Sequence, residues 1–172
     1  MSCLRLEIMD KVFFKIVIPN YNNMPYIKKC LDSILNQTFQ DFKIIIVDDL
    51  STDLSDKFCE MYARKYPKKI HFIQATEKRY AGGCRNIGID FPLECEYYMY
   101  IDGDDYLYSK ECLSILHCVA KDFPGVIAWK WVIEKNGTIT SRNFIQFEKL
   151  KNRLANGLWG GVCGKAIHSK YN

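Results

Sequence analysis

FFKIVIPNYNNMPYIKKCLDSILNQTFQDFKIIIVD, residues 13–48, contains the patterns of a strand, a helix and a second strand in immediate succession. The first strand pattern is a short apolar run, 13–18, that stops at Pro19. A helix pattern follows, because apolar residues recur at spacings of three and one: Ile27, Cys30, Leu31, Ile34 and Leu35. The second strand, 43–47, is almost wholly β-branched and does not alternate with polar residues, which is typical of a strand covered on both faces in a parallel sheet.

The same alternation of strand and helix continues to residue 120. It predicts a helix that includes residues 54–62, a strand at Ile70–Gln74, the start of a helix within Gly82–Asp90, a strand at Glu96–Ile101 and a helix at Ser109–Ala120. In the first of these helices we expect Leu54, Phe58, Met61 and Tyr62 to face the core, with Ser51 or Asp53 as the cap. Strands and helices joined by short connections predict an α/β protein with a mostly parallel sheet flanked by helices.

After residue 122 the pattern changes to β-structure. Val126–Ile133 and Ile139–Phe147 flank Asn136-Gly137, a dipeptide that favours a tight turn, so we predict a β-hairpin after the fourth strand. One more strand is expected within Leu158–Ile167. Neither a repeat nor a linker interrupts the chain, so we predict one domain over residues 1–172, with residues 1–12 as an N-terminal extension.

Composition narrows the class of protein. Of 172 residues, 48% are hydrophobic and 26% are charged, which is the balance of a folded domain with a core. The net charge of +4 comes without a dense basic run, so we expect no nucleic-acid partner, while peripheral contact with an anionic membrane stays open. There is no secretory leader pattern, no apolar run near the roughly 20 residues of a membrane span, and no C-x-x-C pair. We therefore expect a cytoplasmic protein.

Polar side chains follow three of the predicted strands at the point where each strand ends. The three clusters are Pro19, Asn20, Tyr21 and Asn22 after the first strand, Asp48 and Asp49 after the second, and Asp102, Gly103, Asp104 and Asp105 after the fourth. In an open parallel sheet, ligands bind in the crevice outside the carboxyl ends of the strands. We therefore expect the three clusters to face one groove.

The densest cluster is IDGDD, residues 101–105, with three carboxylates in four residues. At about 5 Å and an effective dielectric near 20, each close pair of ionised carboxylates costs roughly 3 kcal/mol. A bound Mg²⁺ or Mn²⁺ would relieve that repulsion, because hard cations prefer carboxylate oxygens; a solvated turn is the alternative. Spacing excludes an EF-hand, which would need glutamate at Leu113. It also excludes a P-loop at 159–166, where Trp159 stands in the place of the first glycine and Ala166 in the place of the serine or threonine.

A glycine-rich segment, YAGGCRNIG at residues 80–88, places Gly82 and Gly83 just before a predicted helix and Arg85 in its first turn. Glycines let a ligand approach the backbone, helix N-termini attract anions, and arginine makes forked contacts with phosphate. The pattern indicates a phosphate contact, with a plain strand-to-helix turn and a solvated arginine as the alternative.

Taken in order, these motifs resemble family 2 glycosyltransferases. The resemblance is carried by IVIPNYNNMPYIKKCLDSILNQTFQDFKIIIVDDLSTD (16–53), by AGGCRNIGI (81–89), with Cys84 where the family usually has alanine, and by YMYIDGDDYL (98–107), which is similar to the family's D-x-D strand end. It runs over about residues 15–107 and more loosely to 169. It implies the GT-A fold, a Rossmann-like sheet, and transfer of a sugar from a nucleotide diphosphate sugar to an acceptor hydroxyl with inversion.

The resemblance also implies roles for particular residues. Pro19 and Tyr21 would line the pocket of the nucleotide base, and Asp49 would hydrogen-bond the base. Arg85 would stand near the base or the diphosphate. The partners implied are a nucleotide diphosphate sugar donor and an acceptor whose identity the sequence does not give.

For the metal, Mn²⁺ or Mg²⁺, the resemblance implies Asp104 as a direct ligand and Asp102 close to the metal or the ribose. The family's usual general base is an acidic residue after the segment that resembles 163–169, and no acidic residue follows Glu148 here. The expectation is then an enzyme truncated at its C-terminus, with a short or missing acceptor part, or a non-catalytic nucleotide-sugar-binding module. A different metal-dependent enzyme acting on phosphates, such as a nucleotidyltransferase or phosphatase, is a third alternative.

Overall fold

The computed structural model describes residues 11–122, the strands at 126–128, 132–135 and 138–141, and residues 165–169. In chain order the elements are β1 (Val12–Asn20), α1 (Ile27–Leu35), β2 (Phe42–Asp48), α2 (Ser55–Lys65), β3 (Ile70–Gln74), α3 (Tyr80–Asp90), β4 (Cys95–Tyr100), α4 (Cys112–Asp122), β5 (Val126–Ala128), β6 (Val132–Lys135), β7 (Thr138–Ser141) and β8 (Lys165–His168). The predicted alternation of strand and helix is confirmed through α4. Within these residues, no helix combines the length and the apolar character needed to cross a bilayer.

The described strands form a six-stranded sheet in the order β3-β2-β1-β4-β8-β5, and β6 and β7 form a separate hairpin. β1 pairs in parallel with β2 and β4, and β2 pairs in parallel with β3. β8 runs antiparallel between β4 and β5. The predicted α/β class, the mostly parallel sheet and the hairpin after the fourth strand are confirmed.

Helices cover both faces of the parallel sheet. β1 and β2 carry apolar side chains at consecutive positions, and these side chains point alternately to the two faces. Ile16 and Ile18 of β1 belong to a buried cluster shared with α1, α2 and α4. Val17 of β1 and Ile45 and Val47 of β2 belong to a second buried cluster, shared with α3. A central strand with apolar residues on both faces buries them when helices pack on both sides of the sheet, which is the layered arrangement seen here.

Helix α3 lies close against β1. A Cβ built on Gly88 would come within 2.3 Å of Cγ1 of Val17, so the helix approaches the strand at a distance that only glycine permits. On the same face, Nζ of the buried Lys15 donates to the backbone oxygens of Ile89 (2.5 Å) and Phe91 (2.6 Å) at the C-terminal end of the helix. Burial lowers the pKa of Lys15. These contacts fix the helix whose N-terminal end borders the carboxyl edge of the sheet.

One predicted strand and one predicted helix face differ from the structure. The single strand expected at Val126–Ile133 is two strands: β5 joins the main sheet beside β8, and β6 pairs with β7. Residues 129–131, the turn at 136–137 and residues 142–164 lie outside the described residues. Leu54 and Met61 were expected in the core, but they are 66% and 51% exposed. Leu54 precedes α2 in a left-handed backbone conformation (φ 71°), and the buried residues of that helix are Ser55, Cys59 and Tyr62.

Candidate functional site

A cleft of about 180 Å³ lies at the carboxyl edge of the parallel strands. Five residues singled out from the sequence line it: Pro19, Tyr21, Asp49, Asp102 and Asp104. They come from the ends of three different strands. The expectation that the polar clusters meet in one groove is therefore confirmed.

The register of the sheet explains this convergence. Asn20, the last residue of β1, pairs with Asp48, the last residue of β2. On the other side of β1, Val17 pairs with Tyr100, the last residue of β4. Because parallel strands advance together, Asp102 follows two residues later at the level of Pro19.

Asp48 links the ends of β1 and β3 and the loop after β2 through hydrogen bonds. Its buried carboxylate accepts hydrogen bonds from Asn20 Nδ2 (2.6 Å), Gln74 Nε2 (2.8 Å), and the backbone N–H (2.9 Å) and hydroxyl (2.6 Å) of Ser51. These bonds join β1, β3 and the loop after β2. The two aspartates at the end of β2 thus have different roles, and it is Asp49 that lines the cleft.

Asp49 is held at the N-terminal end of α3. Its carboxylate, only 4% exposed, accepts the backbone N–H groups of Arg79 (2.6 Å) and Tyr80 (2.9 Å) and lies 3.2 Å from Lys78 Nζ. Burial opposes ionisation of this carboxyl, but the bonds from Arg79, Lys78 and Tyr80 outweigh it and lower the pKa of Asp49. Asp49 is therefore a charged acceptor in a fixed orientation at the wall of the cleft.

Lys78 is a residue of this site that sequence reasoning missed. Its Nζ also donates to the backbone oxygen of Asp49 (2.9 Å) and lies 2.8 Å from the centroid of the Tyr21 ring, a cation–π contact. Lys78 thereby connects Tyr21 and Asp49, two of the residues that the family resemblance places at the nucleotide base. No local pattern marks it, because its position depends on how the loop before α3 folds over the end of β2.

The start of α3 differs from the prediction. The helix begins at Tyr80, so Gly82 and Gly83 lie inside its first turn and Arg85 lies in its second. Arg85 is largely buried, and its Nη2 donates to Oδ1 of Asp102 at 2.5 Å. The alternative of a solvated arginine is therefore wrong. The guanidinium lies against the D-x-D aspartate, next to the residues that line the cleft.

The D-x-D segment forms a turn closed by the Asp105 N–H, which donates to the backbone oxygen of Asp102 at 2.9 Å. Asp104 is exposed on this turn, and Asp105 is half-buried. Burial, followed by the charges of Asp104 and Asp102, raises the pKa of Asp105 to about 6. The charges of Asp102 and Asp104 thus act on Asp105 in the folded turn, and Arg85 offsets the charge of Asp102.

The donor set of this turn suits a hard divalent cation that a ligand helps to hold. Among the described residues, no three His, Cys, Asp or Glu side chains come together as a metal site of their own. Mg²⁺, however, is usually bound through one or two carboxylates together with substrate phosphates. Asp104 and the second oxygen of Asp102 provide that number of carboxylates at the mouth of the cleft. Their assignment as metal ligands stays a prediction.

A Rossmann-like sheet with this acidic turn at its carboxyl edge is the GT-A architecture. The chain belongs to the family described as glycosyl transferase family 2, whose model matches residues 15–169. It is 42% identical over 94 residues to the teichoic acid poly(glycerol phosphate) polymerase of Staphylococcus epidermidis, a match that covers 55% of this chain and 13% of that protein. It is 39% identical over 100 residues to the poly(ribitol-phosphate) beta-glucosyltransferase of Bacillus spizizenii, covering 57% of this chain and 16% of that protein.

Comparison with solved structures supports the same family assignment. The S. aureus TarS 1-349 complex with UDP superimposes with a TM-score of 0.64 at 28% identity, covering 78% of this chain and 38% of that chain. The complex of the same protein with UDP-GlcNAc gives a TM-score of 0.63, covering 78% and 37%. This chain therefore spans only part of the length of its relatives, and the matched part includes the sheet whose edge forms the cleft.

Proposed function

We propose that this chain is the donor-binding part of a metal-dependent glycosyltransferase that moves a sugar from a nucleotide diphosphate sugar to an acceptor hydroxyl with inversion. The observation that carries the proposal is the convergence of Asp49, Asp102 and Asp104 on one cleft at the carboxyl edge of the sheet. Asp49 is a hydrogen-bond acceptor in a fixed orientation, and Asp102 and Asp104 are two further carboxylates that line the same cleft.

The nucleotide would lie across this cleft. Pro19 and Tyr21 supply the apolar wall for a base, and the charged Asp49 supplies an acceptor for a base N–H. The carboxylate of Asp49 keeps acceptor capacity beyond its bonds to Arg79 and Tyr80, since an ionised carboxylate offers about four lone-pair sites. Because S. aureus TarS was solved with UDP and with UDP-GlcNAc, we propose a uridine diphosphate sugar as the donor.

The residues of the D-x-D turn would hold the diphosphate end of the donor. Asp104 and the second oxygen of Asp102 would bind the cation, Mn²⁺ or Mg²⁺, whose chemistry is to neutralise charge on the leaving diphosphate. Arg85 orients Asp102 by occupying its first oxygen. We also propose a cytoplasmic location for this activity, with peripheral membrane contact left open.

A thermal-shift panel on the 172-residue chain tests the proposal, using UDP-, GDP- and dTDP-sugars with Mn²⁺. A ligand present at about 100 times its Kd stabilises the folded state by about 2.7 kcal/mol, which raises Tm by several degrees. We expect that shift with a UDP-sugar. No shift with any nucleotide sugar would contradict the proposal.

A transfer assay separates the enzyme from a binding module. The bound donor is incubated with candidate acceptors, and the anomeric configuration of any product is read by NMR. A product of opposite configuration to the donor supports inverting transfer. Binding without turnover would favour the non-catalytic nucleotide-sugar-binding module.

A further inference from the structure

Asn20 is a buried side chain with one unused polar atom. It is 1% exposed, and its Nδ2 donates to Asp48 Oδ1 (2.6 Å) and to the hydroxyls of Ser55 (3.1 Å) and Ser51 (3.3 Å). Since a carboxylate can only accept, the bond to Asp48 fixes which end of the amide is which. Oδ1 then points the other way, where it has no hydrogen-bond partner among the described residues. Buried acceptors of this kind are rare in folded proteins.

The unused oxygen faces Gly103, the middle residue of the D-x-D turn. A Cβ built on Gly103 would lie 3.3 Å from Asn20 Oδ1 and only 2.5 Å from Nδ2 of Asn23. The backbone of Gly103 does not have a left-handed φ, so glycine is required there by the close approach of these two amides. Two asparagine side chains thus converge on the residue between Asp102 and Asp104.

Asn23 lies in the loop between β1 and α1 and lines the cleft. Its backbone oxygen accepts the N–H groups of Tyr26 and Ile27, both at 2.9 Å, which fixes its main chain. Its amide nitrogen is the end closer to Gly103, on the side where Asn20 presents its unused oxygen. The side-chain oxygen of Asn23 is not among the three atoms nearest to that Cβ, so it is the end of the amide farther from Gly103.

We infer that Asn23 is a further donor-binding residue, whose side-chain oxygen accepts a hydrogen bond from a hydroxyl of the bound nucleotide sugar. This inference rests on the proposed function, because the two aspartates beside Gly103 would hold the diphosphate. An amide oxygen next to two carboxylates repels phosphate and suits a hydroxyl donor. The groups on either side of a diphosphate that carry hydroxyls are the ribose and the transferred sugar.

The test compares the 172-residue wild type with Asn23→Ala by calorimetry, using UDP-GlcNAc, UDP and 2′-deoxy-UDP with Mn²⁺. We expect the variant to bind UDP-GlcNAc about 3- to 10-fold more weakly, as is usual for loss of one hydrogen bond. Weakening for UDP-GlcNAc alone assigns the hydroxyl to the sugar. Weakening for UDP as well assigns it to the ribose, at the 2′ position if 2′-deoxy-UDP is unaffected and at the 3′ position if it is weakened too.

Two controls keep the result interpretable. Asn36→Ala removes the same side chain at an exposed position beyond the end of α1 and should leave all three Kd values unchanged. Gly103→Ala would push the Asn23 amide aside, so it should weaken binding as Asn23→Ala does, and the double variant should be no weaker than Asn23→Ala alone.

Three results are decisive against the inference or its basis. Equal Kd values for wild type and Asn23→Ala with every ligand would overturn the inference. Recovery of the variant at higher Mn²⁺ would overturn it too, because Asn23 would then act through the cation. A wild type that binds none of the three ligands would instead overturn the proposed function.

Discussion

Arg85 and Asp102 form an ion pair, with Nη2 donating to Oδ1 at 2.5 Å, that joins helix α3 to the D-x-D turn. The arginine side chain is 17% exposed and the aspartate side chain 36% exposed, so the pair is partly shielded from water. One oxygen of Asp102 is thereby occupied by the protein, and the other is the one that we propose as a ligand to the cation. The pair makes the orientation of the acidic turn depend on the docking of α3.

Arg85→Met tests this dependence, because it keeps much of the side-chain length and removes the charge and the donors. We expect the Kd for UDP-GlcNAc with Mn²⁺ to rise at least 10-fold, since hydrogen bonds between charged groups contribute about 1.5–3 kcal/mol. Arg64→Met is the matched control, because Arg64 pairs with Glu60 on an exposed face of α2. An Arg85→Met variant that binds as tightly as Arg64→Met would show that Asp102 needs no partner.

Asp49→Asn tests the attachment of α3 to the end of β2. The variant loses the charge that three donors surround, so the free energy of unfolding near neutral pH should fall by about 1–3 kcal/mol. The folded pKa of Asp49 lies below the unfolded value, so its contribution is present above the unfolded pKa and is lost as pH falls through the folded pKa. Urea denaturation should therefore show a wild-type advantage that is constant from about pH 6 to 8 and shrinks below about pH 4. An advantage that does not change with pH would show that the charge is not involved.

Gly88→Ala and Gly82→Ala make the same change in the same helix with opposite expected results. At Gly88 the new methyl would meet Val17 at 2.3 Å, and overpacking of this kind costs about 1–3 kcal/mol. At Gly82 the described part of the chain places no atom outside the neighbouring residues and the helix backbone within 4 Å of the new methyl, so helix propensity should stabilise the variant by about 0.5–1 kcal/mol. Thermal unfolding measures both, and Val17→Ala in the Gly88→Ala background should restore part of the loss. Equal effects at the two positions would mean that α3 does not press on β1.

The sequence predicted the parallel sheet because each of its strands is a compact apolar run followed by polar residues. Pro19, Asp49 and Asp102 were found for the same reason: chain order and the geometry of parallel strands are enough to bring strand ends together. The lack of alternation between apolar and polar residues in β1 and β2 was enough to predict that both of their faces are covered.

Other features could not be predicted, because they depend on partners far away in the chain. β5 separates from β6 because it pairs with β8, which a local reading of residues 126–133 cannot show. Lys78 reaches Asp49 across 29 positions, and no spacing rule connects a lysine in a loop to an aspartate at a strand end. Gly103 was noted only as part of an acidic motif, and its closeness to Asn23 becomes visible only when the fold brings together the loops that follow β1 and β4.

Calorimetry of UDP-GlcNAc binding in Mn²⁺ and in EDTA, with wild type, Asp104→Ala and Asp41→Ala, tests the central claim that the acidic turn and a cation hold the donor. Asp41 is an exposed aspartate at the opposite, amino-terminal end of β2 and serves as the matched control. We expect tight binding by wild type and Asp41→Ala in Mn²⁺. The affinity should fall by at least about 10-fold in EDTA and in Asp104→Ala. Equal affinity in Mn²⁺ and EDTA, or full affinity in Asp104→Ala, would contradict the central claim.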